Sequence, residues 1–515
     1  MRFLRAFLVL LVVGGLTVLG LRLLYPLPSI ADTPSSTALP VSKATALGAA
    51  LVPLVDANPG SSGVLPLFDG RDALAARIIL ARLAEESIDL QYYIWQKDTT
   101  SWLLLDELRA AAERGVRVRL LLDDNGIPGL DRVVAELNTL ENIEVRLFNP
   151  FTLRNPKLLS YGFDFFRLNR RMHNKSMTVD GIATIVGGRN IGDIYFAYGE
   201  GAAYFDLDAM AIGPAATDVA GNFDLFWSSE SSYPVESIIA DHDGGLAEMD
   251  AAVVEARESA RGSDYVEVLD SSPLAEQLRL GEDILEWVDV EMVSDDPSKG
   301  QGAADSDNLL VGRLPELLQR PNAKVDVVSA YLIPGEDGTA LFEGYLADGI
   351  ETRLMTNSLE ATDVPVVHSA WVGYRDRLIR QGAEVLELRA RPDIPEATSL
   401  AQLLGGSMSS LHAKTFSVDD ARVFIGSFNL DPRSVSLNTE MGFLIESPTI
   451  AASVSKKLDQ MTAVYEVQEG NDGKIQWVET FENGQKVIHT HEPNTSTVER
   501  GIVRVFSWLP FEWML

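Results

Sequence analysis

Cysteine is absent from this 515-residue chain. Disulfides, thiolate-held metals and a thiol nucleophile are therefore excluded, while the redox compartment stays open. Basic residues are also scarce: 43 Lys and Arg stand against 74 Asp and Glu, giving a net charge of −31. A chain this acidic stays soluble and does not read as a sequence-independent DNA or RNA binder, which needs a basic surface. No nucleic-acid partner is expected. Histidine is rarer still, with six in all. What is plentiful is ordinary for a folded protein, with 46% apolar and 23% charged residues in a length that accommodates two or more domains.

The N-terminus carries "AFLVLLVVGGLTVLGLRLLY" after Arg2 and Arg5, an apolar run broken only by Arg22. Its length of roughly twenty residues is just enough to span a bilayer, with Arg22 reaching the interface. Positive charge ahead of the run predicts an anchor with its N-terminus inside and the body exported. A cleaved signal is the alternative, because "PSIADTPSS" offers small residues for a peptidase. Residues 1–25 are thus an anchor or signal segment. Residues 26–64, rich in Pro, Ser, Gly and Ala, read as a tether holding the body off the membrane.

The body repeats itself. "ESIDLQYYIW", the helical "SWLLLDELRAAAERG" and "VRVRLLLDDNG" form a βαβ pattern that returns as "AKVDVVSAYLI", "TALFEGYLADG" and "IETRLMTNS". Two α/β halves follow, residues 65–235 and 236–465. The polar stretch 294–308 reads as a flexible surface loop. Residues 466–515 lie outside the repeat. They suggest a hairpin turning at Asn483-Gly484 and an aromatic tail with Trp508, Leu509, Phe511 and Trp513, which docks on the body or sits at the membrane interface.

Each half carries the same short constellation. "MHNKSMTVDG" begins at Met172 and "LHAKTFSVDD" at Leu411. His173 and His412 each have Lys at +2 (Lys175, Lys414), Asp at +7 (Asp180, Asp419), Gly at +14 and Asn at +17 (Asn190, Asn429). On a strand, positions i and i+2 share a face, so each His and Lys point together. Asp180-Gly181 and Asp419-Asp420 are turn signals, and "IATIVGGRN" and "ARVFIGSFN" return beside the first strands. Folding each hairpin about its turn puts Gly188 opposite His173 and Ser427 opposite His412, to within about one residue. One His-x-Lys before a turn is commonly a solvated strand face. Two copies matching at five positions among six histidines point to a shared functional site.

The paired "HNKSMTVD…GGRN" and "HAKTFSVD…GSFN" stretches resemble the two motifs of the phospholipase D superfamily, and the likeness covers nearly all of residues 65–465. The wording "YYIWQKD", "RGVRVRLLLDDN", "NRRMHNKS", "GSFNLDPRS" and "LNTEMG" is most similar to the bacterial cardiolipin synthases, the third type in particular. "SAYLIPG" departs slightly from the aromatic-rich form of that family, where a lipid pocket would lie. The resemblance implies two pseudo-twofold-related α/β/α sandwich halves with mixed central sheets. It implies no cofactor and no metal, and a phosphatidyltransferase that makes cardiolipin through a phosphohistidine. Its substrates would be phosphatidylglycerol and a second phospholipid, with phosphatidylethanolamine a candidate, at a bacterial inner membrane. An accessory protein is left open. Hydrolytic phospholipase D chemistry with water as acceptor is the main alternative, and a catalytically silent lipid-binding scaffold is a weaker one.

Exchanging alkoxides at a phosphodiester needs a nucleophile, an acid for the leaving group and positive charge around the phosphoryl oxygens. Two imidazoles supply the first two, and Lys175, Lys414, Asn190 and Asn429 the third. The resemblance makes His173 the nucleophile and His412 the acid, an assignment the residues alone leave open. Each imidazole wants a carboxylate on its second nitrogen. The family's orienting carboxylate falls at Glu440. Aligning "FDLDAMAIGP" with "NTEMGFLIESP" at their prolines then gives Asp206 as its first-half partner, with Asp208 as competitor. Asp180 and Asp419 belong to the motif and to the candidate catalytic set, yet their place at the turns makes them structural or supporting. Gly188, Ser427, Arg171 and His368 are candidate substrate contacts. Arg171 joins Arg167, Arg170 and Lys175 in a basic cluster suited to a lipid headgroup, and "LLSYGFDFF" just upstream suits acyl chains, bilayer contact or a buried helix.

Overall fold

The computed structural model describes residues 2–196, 205–240, 242–280, 282, 284–305, 309–362, 364–390, 411–481, 483–508 and 512–515. The first half contributes β1 (Ser62–Leu67), β2 (Ser87–Tyr92), β3 (Arg117–Asp123), β4 (Ile143–Phe148), β5 (Ser176–Val179), β6 (Ala183–Gly187), β7 (Asp208–Ile212) and β8 (Ser232–Pro234). The second contributes β9 (Glu286–Ser294), β10 (Lys324–Ser329), β11 (Glu351–Asn357), β12 (Glu384–Leu388), β13 (Lys414–Val418), β14 (Arg422–Gly426), β15 (Met441–Glu446) and β16 (Val464–Glu469). Strands β17 (Ile475–Thr480) and β18 (Lys486–His489) extend it.

The repeat is legible strand by strand. Parallel β2–β3–β4 and β10–β11–β12 come from the βαβ units. Their residues are buried almost throughout, as expected for parallel strands covered on both faces. The helices between them end at Gly115 (φ +96°) and Gly349 (φ +77°), a conformation that favours glycine. Each parallel pair carries one buried cross-strand ion pair at the same register: Asp89–Arg119 at 2.7 Å and Asp326–Arg353 at 2.8 Å. Sliding either strand by one residue would expose a charge to apolar surroundings, so these pairs pin the register.

Strands β2 and β10 then pair antiparallel with the motif hairpins β5–β6 and β13–β14. The hairpin turns have positive φ at both central residues, Asp180 and Gly181 in one, Asp419 and Asp420 in the other. The ladders continue through β7–β1 and β15–β9 and join where β1 pairs with the start of β9, Val64 opposite Glu286. Behind this seam one apolar layer is shared by both halves: Val64, Val186, Ala209 and Ala211 pack with Ile425, Met441, Phe443 and Ile445. The molecule therefore has two mixed sheets flanked by helices and fused at their antiparallel sides.

Three boundaries differ from the sequence reading. Residues 26–64 are not a free tether. Pro34, Ser36 and Thr37 accept from Arg146, Arg119 and Arg117, and the helix Ala46–Ala57 buries Leu47 and Leu51 in the first core. The helices spanning Gly245–Leu280 also pack into that first core, through Met249, Val253, Tyr265 and Leu278, so the second half begins at β9 rather than at residue 236. The stretch 294–308 is anchored in its described part. Lys299 is buried against Asp295 and the Ser434 carbonyl, and the Gly300 carbonyl accepts from Asn149. Residues 306–308 lie outside the described residues.

At the C-terminus β17 and β18 form the expected hairpin, with Gly484 donating to the Phe481 carbonyl. The helix Thr497–Phe506 then leads to an end docked on the body. Arg433 donates its N–H to the Leu515 carbonyl, and Tyr374 donates to Glu512. Leu509 and Phe511 lie outside the described residues, as does the Trp513 side chain.

Candidate active site

Both histidines sit just before a hairpin strand, and short backbone bridges to the opposite half fix what they meet. The His173 N–H donates to the Thr439 carbonyl, and the Thr439 N–H returns to the Arg171 carbonyl. That places the next residue, Glu440, against the imidazole: Nδ1 of His173 lies 2.8 Å from Oε2 and 3.1 Å from Oε1. On the other side the His412 N–H donates to the Phe205 carbonyl, and Nδ1 lies 2.7 Å from Oδ2 of Asp206. The pairing is crossed. Each imidazole takes its carboxylate from the other half, so neither half completes a site alone.

The segments before the histidines are held alike. Asp123, at the end of β3, accepts from the Met172 N–H and from the Arg171 guanidinium. Asn357, at the matching end of β11, exchanges two hydrogen bonds with the Leu411 backbone. Lys175 donates to the His173 carbonyl at 2.6 Å, and Lys414 donates to that of His412. Tyr93 lies edge-on to His173 and Tyr195 edge-on to His412, with ring centroids 5.1 and 5.0 Å apart. Oδ1 of Asn190 accepts from the Ile94 N–H, while its Nδ2 is buried with no acceptor among the described residues. Asn429 likewise has a buried Oδ1 with no donor among them. An unpaired amide N–H, as on Asn190, suits a phosphoryl oxygen, whereas an unpaired amide oxygen, as on Asn429, suits a donor such as an alcohol hydroxyl.

Electrostatics bind the parts into one site. Burial, followed by the charges of both Lys175 and Lys414, drives His173 well below its ordinary value. His412 is pushed down to about 3 by burial and the same two lysines, against the pull of Asp206. Burial lowers Lys175 as well. The carboxylates diverge. Burial lifts Glu440 to about 7, whereas for Asp206 the opposing pull of His412, Lys414 and Arg189 outweighs burial and holds it down. Both imidazoles are neutral near pH 7, and a nucleophilic imidazole must be neutral. An ordinary imidazole would lose about tenfold in kcat/KM between pH 7.5 and 5.5. With its folded value lowered, the nucleophilic imidazole is protonated only at lower pH, so that tenfold loss is expected to be absent over the interval; a pH–rate profile checks it.

The remaining candidates separate cleanly. Ser427 donates to Oε2 of Glu440 at 2.5 Å and accepts from the Met441 N–H. Gly188 abuts Asp206, where a Cβ would come within 2.1 Å of Oδ1. These two equivalent residues back the carboxylates; Gly188 lies one residue from the position opposite His173, and Ser427 one from that opposite His412. Asp208 turns away, bonded to Arg77 at 2.9 Å and accepting from the Arg189 N–H.

Asp180 and Asp419 do not reach the histidines. Asp180 accepts from the N–H groups of Glu85, Glu86 and Ser87, and Asp419 from those of Asn322, Ala323 and Lys324. They tie each turn to the chain entering β2 or β10 and are removed from the catalytic set. Asp180→Ala would strand those donors and is expected to cost about 2–3 kcal/mol of stability, while turnover of the folded fraction stays within a few-fold. Urea unfolding beside a kcat measurement separates the two effects.

Two candidate substrate contacts are corrected. Arg171 is fully buried, bonded to Asp123 and to the carbonyls of Phe148 and Asn149, so its guanidinium is a pillar and no headgroup clamp. Arg167 is committed to Asp164 and the Pro150 carbonyl. His368 faces Glu492 at 3.3 Å, in a buried network where Arg375 bridges Glu387 and Glu492. That network stitches the C-terminal segment to the helix Pro365–Arg380, and none of these bonds involves a motif histidine.

Sequence reasoning missed Asp123, Asn357, Tyr93, Tyr195 and Asp295, which accepts from the Glu440 N–H. A signal existed for the first two: a polar residue closes the same strand of the repeat in each half, in "LLLD" and "LMTN".

The chain has relatives in sequence and in fold. Residues 78–209 and 314–462 match the family described as "Cardiolipin synthase, PLD-like domain", which takes in both motif hairpins. The chain belongs to that family. It is 44% identical over 471 residues to cardiolipin synthase C of Escherichia coli K12, covering 91% of this chain and 99% of that one. Against cardiolipin synthase B of the same strain, identity is 27% over 366 residues, covering 70% and 71%. The solved phosphatidylserine synthase of Haemophilus influenzae superposes with a TM-score of 0.56 over 92% of this chain and all of that one, at 14% identity. That likeness speaks for the fold.

Proposed function

We propose that the chain is a phosphatidyltransferase that makes cardiolipin from phosphatidylglycerol and a second phospholipid, at one composite site. The observation that carries this reading is the crossed pairing, with each imidazole held by the opposite half's carboxylate and both lysines bearing on both imidazoles. With Nδ1 committed to a carboxylate, Nε2 is the atom used for chemistry. Nε2 of His173 attacks phosphorus in line, the P–O bond to the leaving alcohol breaks, and protonated His412 gives that alcohol its proton. The phosphatidyl group now rests on His173. His412 next removes a proton from the hydroxyl of phosphatidylglycerol, whose oxygen displaces the imidazole and forms cardiolipin. Lys175, Lys414, Asn190 and Asn429 hold the non-bridging oxygens throughout.

Both histidines are neutral in the free site, so the bound phosphodiester anion must raise the acid imidazole before transfer. Substrate binding then takes up a proton. The helix Phe3–Leu24 is long and apolar enough to cross a membrane. With Arg2 and Arg5 on the inner side, the body stands on the exported side.

Lipid products from the purified protein in mixed micelles test this reading, using labelled phosphatidylglycerol with and without phosphatidylethanolamine. Cardiolipin with released glycerol or ethanolamine is expected, and the released alcohol names the donor. Phosphatidic acid alone would replace the transferase with a hydrolase.

A further inference from the structure

Among the described residues, exposed apolar side chains outside the N-terminal helix concentrate at two places near the site. One is a lip formed by the turn Lys157–Ser160 and the helix Tyr161–Leu168. Its inner side is fixed: Phe163 and Leu168 are buried, Tyr161 packs edge-on against Phe151 at 5.6 Å, and Lys157 bonds Asp124 and Asp131. Its outer side presents Leu158, Leu159 and Phe166, which are 73, 61 and 68% exposed. Because the inner side is gripped, this exposure is built into the lip and is not the fraying of a loose loop.

The lip also receives the end of the N-terminal helix. Nε of Arg22 donates to the Phe163 carbonyl at 2.7 Å, and the Tyr25 ring stacks on Phe163 at 6.1 Å. Arg and Tyr at the end of an apolar span lie at the level of the lipid headgroups. The Tyr161–Leu168 helix is held at that same level.

The lip stands at the mouth as well. Asn169, directly after its helix, accepts from Arg433, whose charge bears on both His173 and Tyr93. Arg433 also grips the carbonyls of Met514 and Leu515, so the C-terminal end closes the same rim. The adjoining helix Thr497–Phe506 turns Val498, Ile502 and Val505 outward at i, i+4 and i+7, with Arg504 exposed beside them. An apolar stripe flanked by arginine suits an anionic lipid surface in an otherwise acidic protein.

We propose that Leu158, Leu159 and Phe166 dip into the bilayer leaflet beside the N-terminal helix, so that a phospholipid reaches His173 from the membrane without crossing water. The proposal takes the phospholipid substrate from the reading above, but its test does not depend on transfer. Because the chain has no cysteine, single probes are simple to place.

The full-length protein carries an environment-sensitive fluorophore on Leu159→Cys or Phe166→Cys, or on Glu113→Cys as a control. Glu113 is exposed at the helix end leading into β3, the end of the parallel strands away from the site. In vesicles containing phosphatidylglycerol, acyl-chain spin labels are expected to quench the two lip probes at least threefold more than the control, with aqueous cobalt showing the reverse order. Lip probes as open to cobalt as the Glu113 probe would overturn the proposal. The same labels on a His173→Ala background read insertion even if the proposed chemistry is wrong. In addition, the Leu158→Asp, Leu159→Asp, Phe166→Asp triple variant should lose about tenfold in turnover of long-chain lipid in vesicles. It should stay within twofold on a short-chain phosphatidylglycerol below its micelle concentration. Unchanged vesicle turnover would contradict the proposal, and so would an equal loss on both substrates.

Discussion

His173→Ala and His412→Ala are each expected to lower phosphatidyl transfer by about 10³-fold or more while leaving the fold intact. Either change removes a covalent or proton-transfer partner that nothing nearby replaces. Tyr93 and Tyr195 meet the rings edge-on, and the lysines, Lys414 also lying 3.1 Å from Nδ1 of His412, supply charge without standing in for either imidazole. The two variants should nevertheless differ on one class of substrate. A phosphatidyl ester of nitrophenol leaves without needing a proton, so a variant missing only the acid still releases a burst of nitrophenol. His412→Ala is expected to show that burst and His173→Ala to show none. A burst from His173→Ala alone would exchange the two roles.

Glu440→Gln and Asp206→Asn carry the next largest effect, on the order of 10²–10⁴-fold in kcat. An amide offers Nδ1 the wrong partner half of the time and no charge with which to stabilise an imidazolium. The crossed geometry makes a further, sharper claim. Glu440→Gln should shift the downfield Nδ1–H resonance of His173, whose ring it holds at 2.8 Å, and leave that of His412 in place. Asp206→Asn should do the opposite. Resonances that move with the carboxylate of their own half would remove the composite site.

Local periodicity carried much of this site into the sequence. A strand repeats every two residues and a tight turn fixes the return, so His173, Lys175 and Asn190 could be grouped from spacing alone, and likewise His412, Lys414 and Asn429. Glu440 came from family resemblance, and Asp206 from the internal repeat. What spacing does not encode is which half faces which. The crossing depends on two backbone bridges, Met172 with Thr439 and Phe205 with Leu411, more than two hundred residues apart in sequence.

Arg171 shows a second limit. A run of arginines near a motif looks like a headgroup clamp until Asp123, at the end of a distant strand, is seen to face it. Residues 26–64 show a third. Their composition suits a linker, yet backbone carbonyls at Pro34, Ser36 and Thr37 are taken up by arginines of the first sheet. A carbonyl looks the same in every residue, so no side-chain pattern announces that contact.

The central claim is that one composite site passes a phosphatidyl group through a single histidine. Rapid base quenching of the enzyme during turnover of phosphate-labelled phosphatidylglycerol, followed by peptide mapping under alkaline conditions, tests it directly. The account predicts an acid-labile, base-stable phosphoryl label at no more than one per chain, on His173 in "MHNKSMTVDG" and absent from His173→Ala. Turnover without label on either motif histidine, or two labels per chain, would contradict it.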